Sequence, residues 1–439
     1  MIDCALPPSG YMQQLRHWAR ENNVPLNINF ELTPFCNFSC VMCYVRLNEE
    51  GAKKQGKVLC ADEWLEIAKQ AKDMGTLEIT LTGGEPFVHP EFRKIYSELN
   101  KMGFLITILS NGSLIDESMI EFFREHGMPY RMKLTVYGAS NETYRRVCGS
   151  ADGFTRVSKA IDLLKAAGVP LALTSTIVKE NADDLQQIYA FAREKGLPMQ
   201  HTISVVNSSR SSVNSITSSR FALSDFPDEL TLEELEKSKF PPLKSPFAWC
   251  ASYRTSLWIT WHGHLQLCAF MNTPFTSLSG NLKADYESLH GKLEKIKSPA
   301  ECSDCEWKAF CQRCPGTLCA ESSDPEKVSS GLCDMAKNYM KSTLGKRRID
   351  MKKKYVVPES KLIAINIKES IAAASGGISE IAGAAVIKFT HEIDGCRGYY
   401  MGVMSAPVKI DSTNFIEYYN ELRTYGMEPY FNCLSYNFG

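Results

Sequence analysis

Between residues 26 and 206 the chain alternates short β-rich runs with amphipathic helical ones, and no other feature of the sequence restricts the fold as closely. Strand-like runs fall at 26–32, 77–82, 105–109, 132–137, 171–177 and 200–206. Helical stretches at 61–74, 90–102, 116–126, 154–167 and 182–195 separate them. Strands joined through helices run parallel, because the returning chain needs a crossover of a dozen or more residues. Repeated βα units predict an α/β fold, a partial (β/α)6 barrel of the TIM type, with reactive side chains on loops at the C-terminal ends of its strands.

The first of those loops reads Thr33-Pro34-Phe35-Cys36-Asn37-Phe38-Ser39-Cys40-Val41-Met42-Cys43-Tyr44. A 4Fe-4S cluster ordinarily takes one thiolate per iron, so three cysteines leave one iron open to something other than protein. Structural zinc competes for the same residues. It wants four ligands, however, and no second cysteine pair or histidine follows Cys43 closely.

At 439 residues the chain is long enough for one large core and smaller units beside it. Its net charge of -1 offers no bulk attraction for nucleic acid or an anionic membrane. The first residues lack a basic and then apolar leader, and no apolar run reaches spanning length, so a cytoplasmic protein is expected. Sixteen cysteines in such a chain argue for metal ligation over disulfides. The expected organisation is an N-terminal segment (1–23), the barrel (24–206), a serine-rich crossover (207–246), a small cysteine-rich domain (247–345) and a small α+β tail (346–439). The crossover carries an acidic helical stretch near 230–237. In the tail, strand-like runs fall at 385–390 and 399–403 and a helical one at 414–424, after an apparent flexible break at 372–377.

After the second strand comes Thr82-Gly83-Gly84-Glu85-Pro86. Its glycines let the backbone pass close to a ligand, and Glu85 can accept hydrogen bonds from an ammonium group. Together, Cys36-x3-Cys40-x2-Cys43 and Gly83-Gly84-Glu85-Pro86 resemble the motifs of the radical S-adenosylmethionine (SAM) superfamily, over residues 24–205. The resemblance implies that SAM chelates the open iron through its amino and carboxylate groups. An electron from the cluster then breaks the sulfonium bond, and the 5'-deoxyadenosyl radical so released abstracts hydrogen from unreactive carbon.

Further positions follow from the same resemblance. Ser110 and Asn111 match the ribose-contacting turn, and Thr135 lies where a hydroxyl faces SAM. Arg146, or its neighbour Arg145, would pair with the SAM carboxylate, with a solvated helix charge as the alternative. Met42 stands where the family usually has an aromatic residue against adenine, and it packs without the same stacking. The expected SAM contacts are therefore Met42, Gly83, Gly84, Glu85, Pro86, Ser110, Asn111, Thr135 and Arg146.

A second cysteine array holds Cys250, Cys268 five residues after Gly263, then Cys302-x2-Cys305-x5-Cys311-x2-Cys314 and Cys333. It resembles the SPASM domain, an extension of radical SAM enzymes with auxiliary 4Fe-4S clusters, although Cys311 to Cys314 is one residue tighter than usual. The resemblance implies one cluster on Cys302, Cys305, Cys311 and Cys333. A second would sit on Cys250, Cys268 and Cys314, with Cys319 or an open position as its fourth ligand; a cross-braced pair of zinc ions is the competing reading. Cys4, Cys60, Cys148 and Cys396 have no partner pattern and read as buried or free thiols.

SPASM-type enzymes imply a peptide or protein substrate, peptide maturation or side-chain oxidation, and an external low-potential electron donor. The alternatives are formylglycine formation, a small-molecule substrate, and a non-enzymatic iron-sulfur or zinc protein. The tail, in which Cys396 and Cys433 stand out, reads either as an accessory domain or as a fused precursor peptide.

Overall fold

A computed structural model describes residues 8–207 except 204, 216–220, 245–305 except 249, 311–336 except 312 and 335, and three strands between 384 and 433. Two compact units result, one over Arg16–Arg348 and the other from Met1–Leu15 with Ile349–Gly439.

The elements up to the crossover are α1 (Pro8–Asn22), β1 (Asn27–Glu31), α2 (Glu49–Gln55), α3 (Ala61–Asp73), β2 (Glu78–Thr82), α4 (Phe92–Lys101), β3 (Leu105–Ser110), α5 (Glu117–His126), β4 (Arg131–Thr135), α6 (Asn141–Cys148), α7 (Gly153–Ala166), β5 (Leu171–Thr176), α8 (Leu185–Lys195) and β6 (Met199–Thr202). After it come β7 (Ser256–Ile259), β8 (His264–Gln266), β9 (Thr276–Ser277), α9 (Leu282–Leu293) and α10 (Pro315–Ser322). The tail contributes β10 (Ala384–Lys388), β11 (Cys396–Val403) and β12 (Tyr430–Cys433), an antiparallel sheet in which β11 is central. The helical stretches expected at 230–237 and 414–424, and the break at 372–377, lie outside the described residues.

The main sheet runs β6-β5-β4-β3-β2-β1-β7-β8-β9, parallel from β6 through β7 and antiparallel in the last two strands. This is the partial barrel, extended on its β1 side by a strand from beyond the crossover. An unpaired β1 would present a row of open N–H and C=O groups, and β7 covers it in parallel register from Asn27↔Ser256 to Phe30↔Ile259.

Strand β1 shows how the sequence splits its two faces. Ile28 and Phe30 are fully buried, and Phe30 meets Trp64 of α3 with ring centroids 4.7 Å apart. The alternate residues are polar and bonded across the strands. Asn27 donates to Thr80 Oγ1 at 2.9 Å, Asn29 to Ser256 Oγ at 3.2 Å, and Trp258 Nε1 to the buried Glu31 at 2.7 Å. Period-two alternation places one set on the helices and the other on the opposite face.

Helix starts follow local chemistry. Asp116, Ser140 and Asn281 each accept a backbone N–H from the first turn of α5, α6 and α9. Gly149 and Gly196 close α6 and α8 in the left-handed conformation. Among the described residues, no helix is long and apolar enough to cross a membrane.

Candidate active site: a three-thiol loop on a glycine turn

The cysteine loop is held on three sides by backbone. Leu32 N–H bonds Thr82 O at 2.8 Å, continuing the β1–β2 ladder, and Gly84 N–H bonds Thr33 O at 2.7 Å and Glu85 N–H bonds Phe35 O at 2.9 Å. From the other side Ser39 N–H reaches Cys148 O and Val41 N–H reaches Val147 O, both at 2.9 Å. Leu47 N–H returns to Pro34 O at 3.1 Å and closes the loop.

This explains the glycine pair differently from the sequence expectation. A Cβ on Gly83 would lie 2.6 Å from Thr33 O, and one on Gly84 would run into the Phe35 carbonyl. The backbone that passes close to these glycines is the cysteine loop itself, and Gly83 also has φ +148°.

Donors reach the first and third sulfurs of the loop. Phe38 N–H reaches Cys36 Sγ at 3.3 Å and Asn111 Nδ2 reaches it at 3.6 Å, while Arg46 N–H reaches Cys43 Sγ at 3.2 Å. Cys148, whose carbonyl takes the Ser39 N–H, donates its S–H to Tyr144 O at 3.1 Å. Burial pushes the Cys36 thiol up to about 12 and the Cys43 thiol up to about 11. Contact with Cys148 and then burial raise Cys40 as well. These thiols stay protonated in ordinary buffer unless a cation stabilises their thiolates, and N–H groups aimed at sulfur suit a set of metal-ligating thiolates. The donor chemistry therefore fits an iron-sulfur cluster.

Glu85 is fully buried, and burial raises its pKa to about 7 despite three hydrogen bonds that pull the other way. Its oxygens accept from Asn111 N–H at 2.8 Å, Ser110 Oγ at 2.9 Å and Phe87 N–H at 3.3 Å. Ser110 and Asn111, expected at a ribose, thus spend these groups on Glu85. The Asn111 side chain also donates to Asn37 Oδ1 at 3.0 Å, tying the third strand's turn to the cysteine loop. A carboxylate has about four lone-pair sites, so room remains on Glu85 for an ammonium donor.

The other expected contacts are more scattered. Met42 and Pro86 are buried beside the loop, and Thr135 ends β4 half-buried. Arg145 pairs with Glu142 on the exposed side of α6, and Arg146 Nε donates to Glu180 O at 2.6 Å.

In the cysteine-rich region the sulfurs fall into two neighbourhoods. Burial pushes Cys268 up to about 12, with Cys314 and Cys250 adding to it, and Cys250 in turn feels Cys314. A Cβ on Gly316 would meet Cys268 Sγ at 3.1 Å and Cys314 Sγ at 3.7 Å. Burial likewise pushes Cys311 up to about 12, with Cys333, Cys302 and Cys305 adding to it. Among the described residues no three or more His, Cys, Asp or Glu side chains close around a single-ion position. The Cys319 Sγ donates to Asn272 Oδ1 at 3.1 Å and Thr273 O at 3.5 Å. Tyr44, next to Cys43, contacts Phe270 with centroids 5.2 Å apart and so joins the first loop to the Cys268 turn.

Sequence reasoning missed the 147–148 segment of α6, whose carbonyls anchor the cysteine loop. Cys148 carried no spacing signal, and only the return of α6 against the loop brings it there.

Residues 30–192 match the family model described as the radical SAM superfamily. Over this stretch the chain is similar to radical SAM domains. The PqqA peptide cyclase of Granulibacter bethesdensis is 30% identical over 172 residues, 39% of this chain and 45% of its own length. The AdoMet-dependent heme synthase of Methanosarcina barkeri is 28% identical over 188 residues, 43% of this chain and 53% of its own length. The chain thus matches about half the length of these curated relatives. Streptococcus suis SuiB, solved with its precursor peptide SuiA, shares the fold at a TM-score of 0.54 and 17% identity, over 75% of this chain and 82% of that one.

Proposed function

We propose that this chain is an enzyme that cleaves SAM reductively and uses the resulting radical to abstract hydrogen from a peptide or protein substrate. The observation that carries this reading is the three-thiol loop, with N–H donors at Cys36 and Cys43, docked directly on Gly83, Gly84 and Glu85. Cys36, Cys40 and Cys43 would hold three irons, and Glu85 would take the SAM ammonium group. Thr135 would face SAM, Arg146 would turn from Glu180 O to its carboxylate, and Met42 would pack near its adenine. When bound, SAM and a reduced 4Fe-4S cluster supply a 5'-deoxyadenosyl radical.

Cys302, Cys305, Cys311 and Cys333 would hold a second cluster in a SPASM-type domain, and Cys250, Cys268 and Cys314 a third with an open fourth position. One of these clusters would accept the single electron that the substrate radical gives up on oxidation, and an external low-potential donor would reduce the first cluster. The likeness to a peptide cyclase and to a fold seen with a precursor peptide supports a peptide substrate. A small-molecule substrate is the second reading, favoured by the likeness to a heme synthase. Iron- and sulfide-reconstituted protein, given reductant and SAM, is expected to release 5'-deoxyadenosine. No 5'-deoxyadenosine under these conditions would sink the reading. Faster release with a candidate precursor peptide separates the peptide from the small-molecule reading.

A further inference from the structure

Strands β1 to β6 hold four Glu, Lys or Arg side chains, Glu31, Glu78, Arg131 and Lys133. Period two places all of them on the face turned away from the helices, the inside of the barrel. Three have partners. Glu31 accepts Trp258 Nε1 at 2.7 Å, and Glu78 Oε1 accepts Thr107 Oγ1 at 2.5 Å and Arg131 Nη2 at 3.3 Å. Lys133 has no hydrogen bond or ion pair among the described residues.

Its place in the sheet explains why. Register sets Lys133 opposite Leu109 of β3 and Ala172 of β5, and neither side chain has an acceptor. The next inner-face residue toward the N-terminal end of β4 is Arg131, of the same sign, while Met132 and Leu134 are buried on the other face. Lys133 is itself half-buried, so its ammonium group loses part of its hydration and the adjacent strands give no charge in return. The face around it stays reachable. Thr135 and Thr174 are half-buried, and Gln200 and Thr202 of β6 are exposed. These neighbours hydrogen-bond a ligand of either charge and neutralise neither.

We propose that Lys133 is a specificity-determining residue whose ammonium group pairs with a carboxylate of a peptide substrate lying against the inner face of β4–β6. The carboxylate belongs to an Asp or Glu side chain or to the C-terminus of the peptide. An unpaired ammonium group on a half-buried face discriminates a carboxylate from its neutral amide, because a charge-assisted hydrogen bond is about twice as strong as a neutral one. The proposal rests on the peptide-substrate reading above.

The test is affinity selection from randomised decapeptides on full-length, iron- and sulfide-reconstituted protein with SAM present, the retained peptides being sequenced by mass spectrometry. One library ends in a free carboxylate and the other in an amide. Wild type is expected to enrich Asp and Glu at one position roughly tenfold, or to retain the free-carboxylate library roughly tenfold better than the amide, and these two results separate the two sources. Lys133→Met is expected to lose the preference, Lys133→Arg to keep it, and Lys133→Glu to select Lys or Arg instead. A purely structural lysine would not exchange one charge preference for the other. Peptides retained by wild type without an acidic preference, or the same preference in Lys133→Met, overturn the proposal and leave the peptide reading standing. A comparable fall in SAM affinity in Lys133→Met, read by calorimetry, assigns the ammonium group to SAM and also overturns it. If Lys133→Met does not fold, Lys133→Arg and Lys133→Glu carry the comparison. Retention of no peptide by wild type counts against the peptide reading itself, so the two failures are distinguishable.

Discussion

At the scale of single residues, Glu85 and Gly84 carry the most consequence. The folded state holds the Glu85 pKa near 7, against an ordinary 4.5, so folding favours the neutral acid. Its contribution to stability is present below pH 4.5 and is lost as pH rises through about 7. Cation binding has the opposite sign, because an ammonium group needs the carboxylate. SAM affinity, read by calorimetry, is therefore expected to weaken up to about tenfold per pH unit below 7. Glu85→Gln should bind weakly at every pH and show no such dependence. Gly84→Ala places a methyl against the Phe35 carbonyl. A loss of about 1–3 kcal/mol in chemical denaturation is expected, together with reduced iron uptake, because the displaced backbone is the cysteine loop. The motif spacing revealed these residues at once, but not the reason for the glycines, since contact between two loops leaves no local pattern.

At the scale of elements, the expected strands of the barrel lie within a few residues of the observed ones, because parallel strands and amphipathic helices leave strong periodic signals. Helix α6 gave no such signal. It has eight residues, and three of its four buried positions, Tyr144, Val147 and Cys148, face the site instead of forming a long apolar stripe. The described part of the crossover is tied down. Arg220 makes a two-pronged ion pair with Glu321 of α10, whose side chain is only 6% exposed, and Asn207 N–H donates to the same carboxylate at 3.1 Å. Removing one member leaves the other partly buried and unpaired. Glu321→Gln is expected to cost roughly 3 kcal/mol locally, seen as faster hydrogen exchange at Asn207 while strands β1–β5 keep their protection.

At the scale of the whole molecule, the three clusters proposed above would bring about twelve irons per chain. The triple variant Cys36→Ala, Cys40→Ala and Cys43→Ala is expected to lose about four of them and keep the rest, as measured by iron analysis. Loss of all iron would mean that the two cysteine arrays do not load independently. The motif of the first loop was legible in the linear chain because its three cysteines lie within eight residues and the glycine turn follows one βα unit later. Ligand type, spacing and strand-to-loop order are local properties, and the sequence by itself determined them. The cover that β7 gives to β1, the hydrogen bond from Cys319 to Asn272, and the docking of Ser39 and Val41 on the end of α6 were decided only by tertiary structure. Each joins residues tens to hundreds of positions apart, and such contacts exist only once packing has fixed which backbone returns against which.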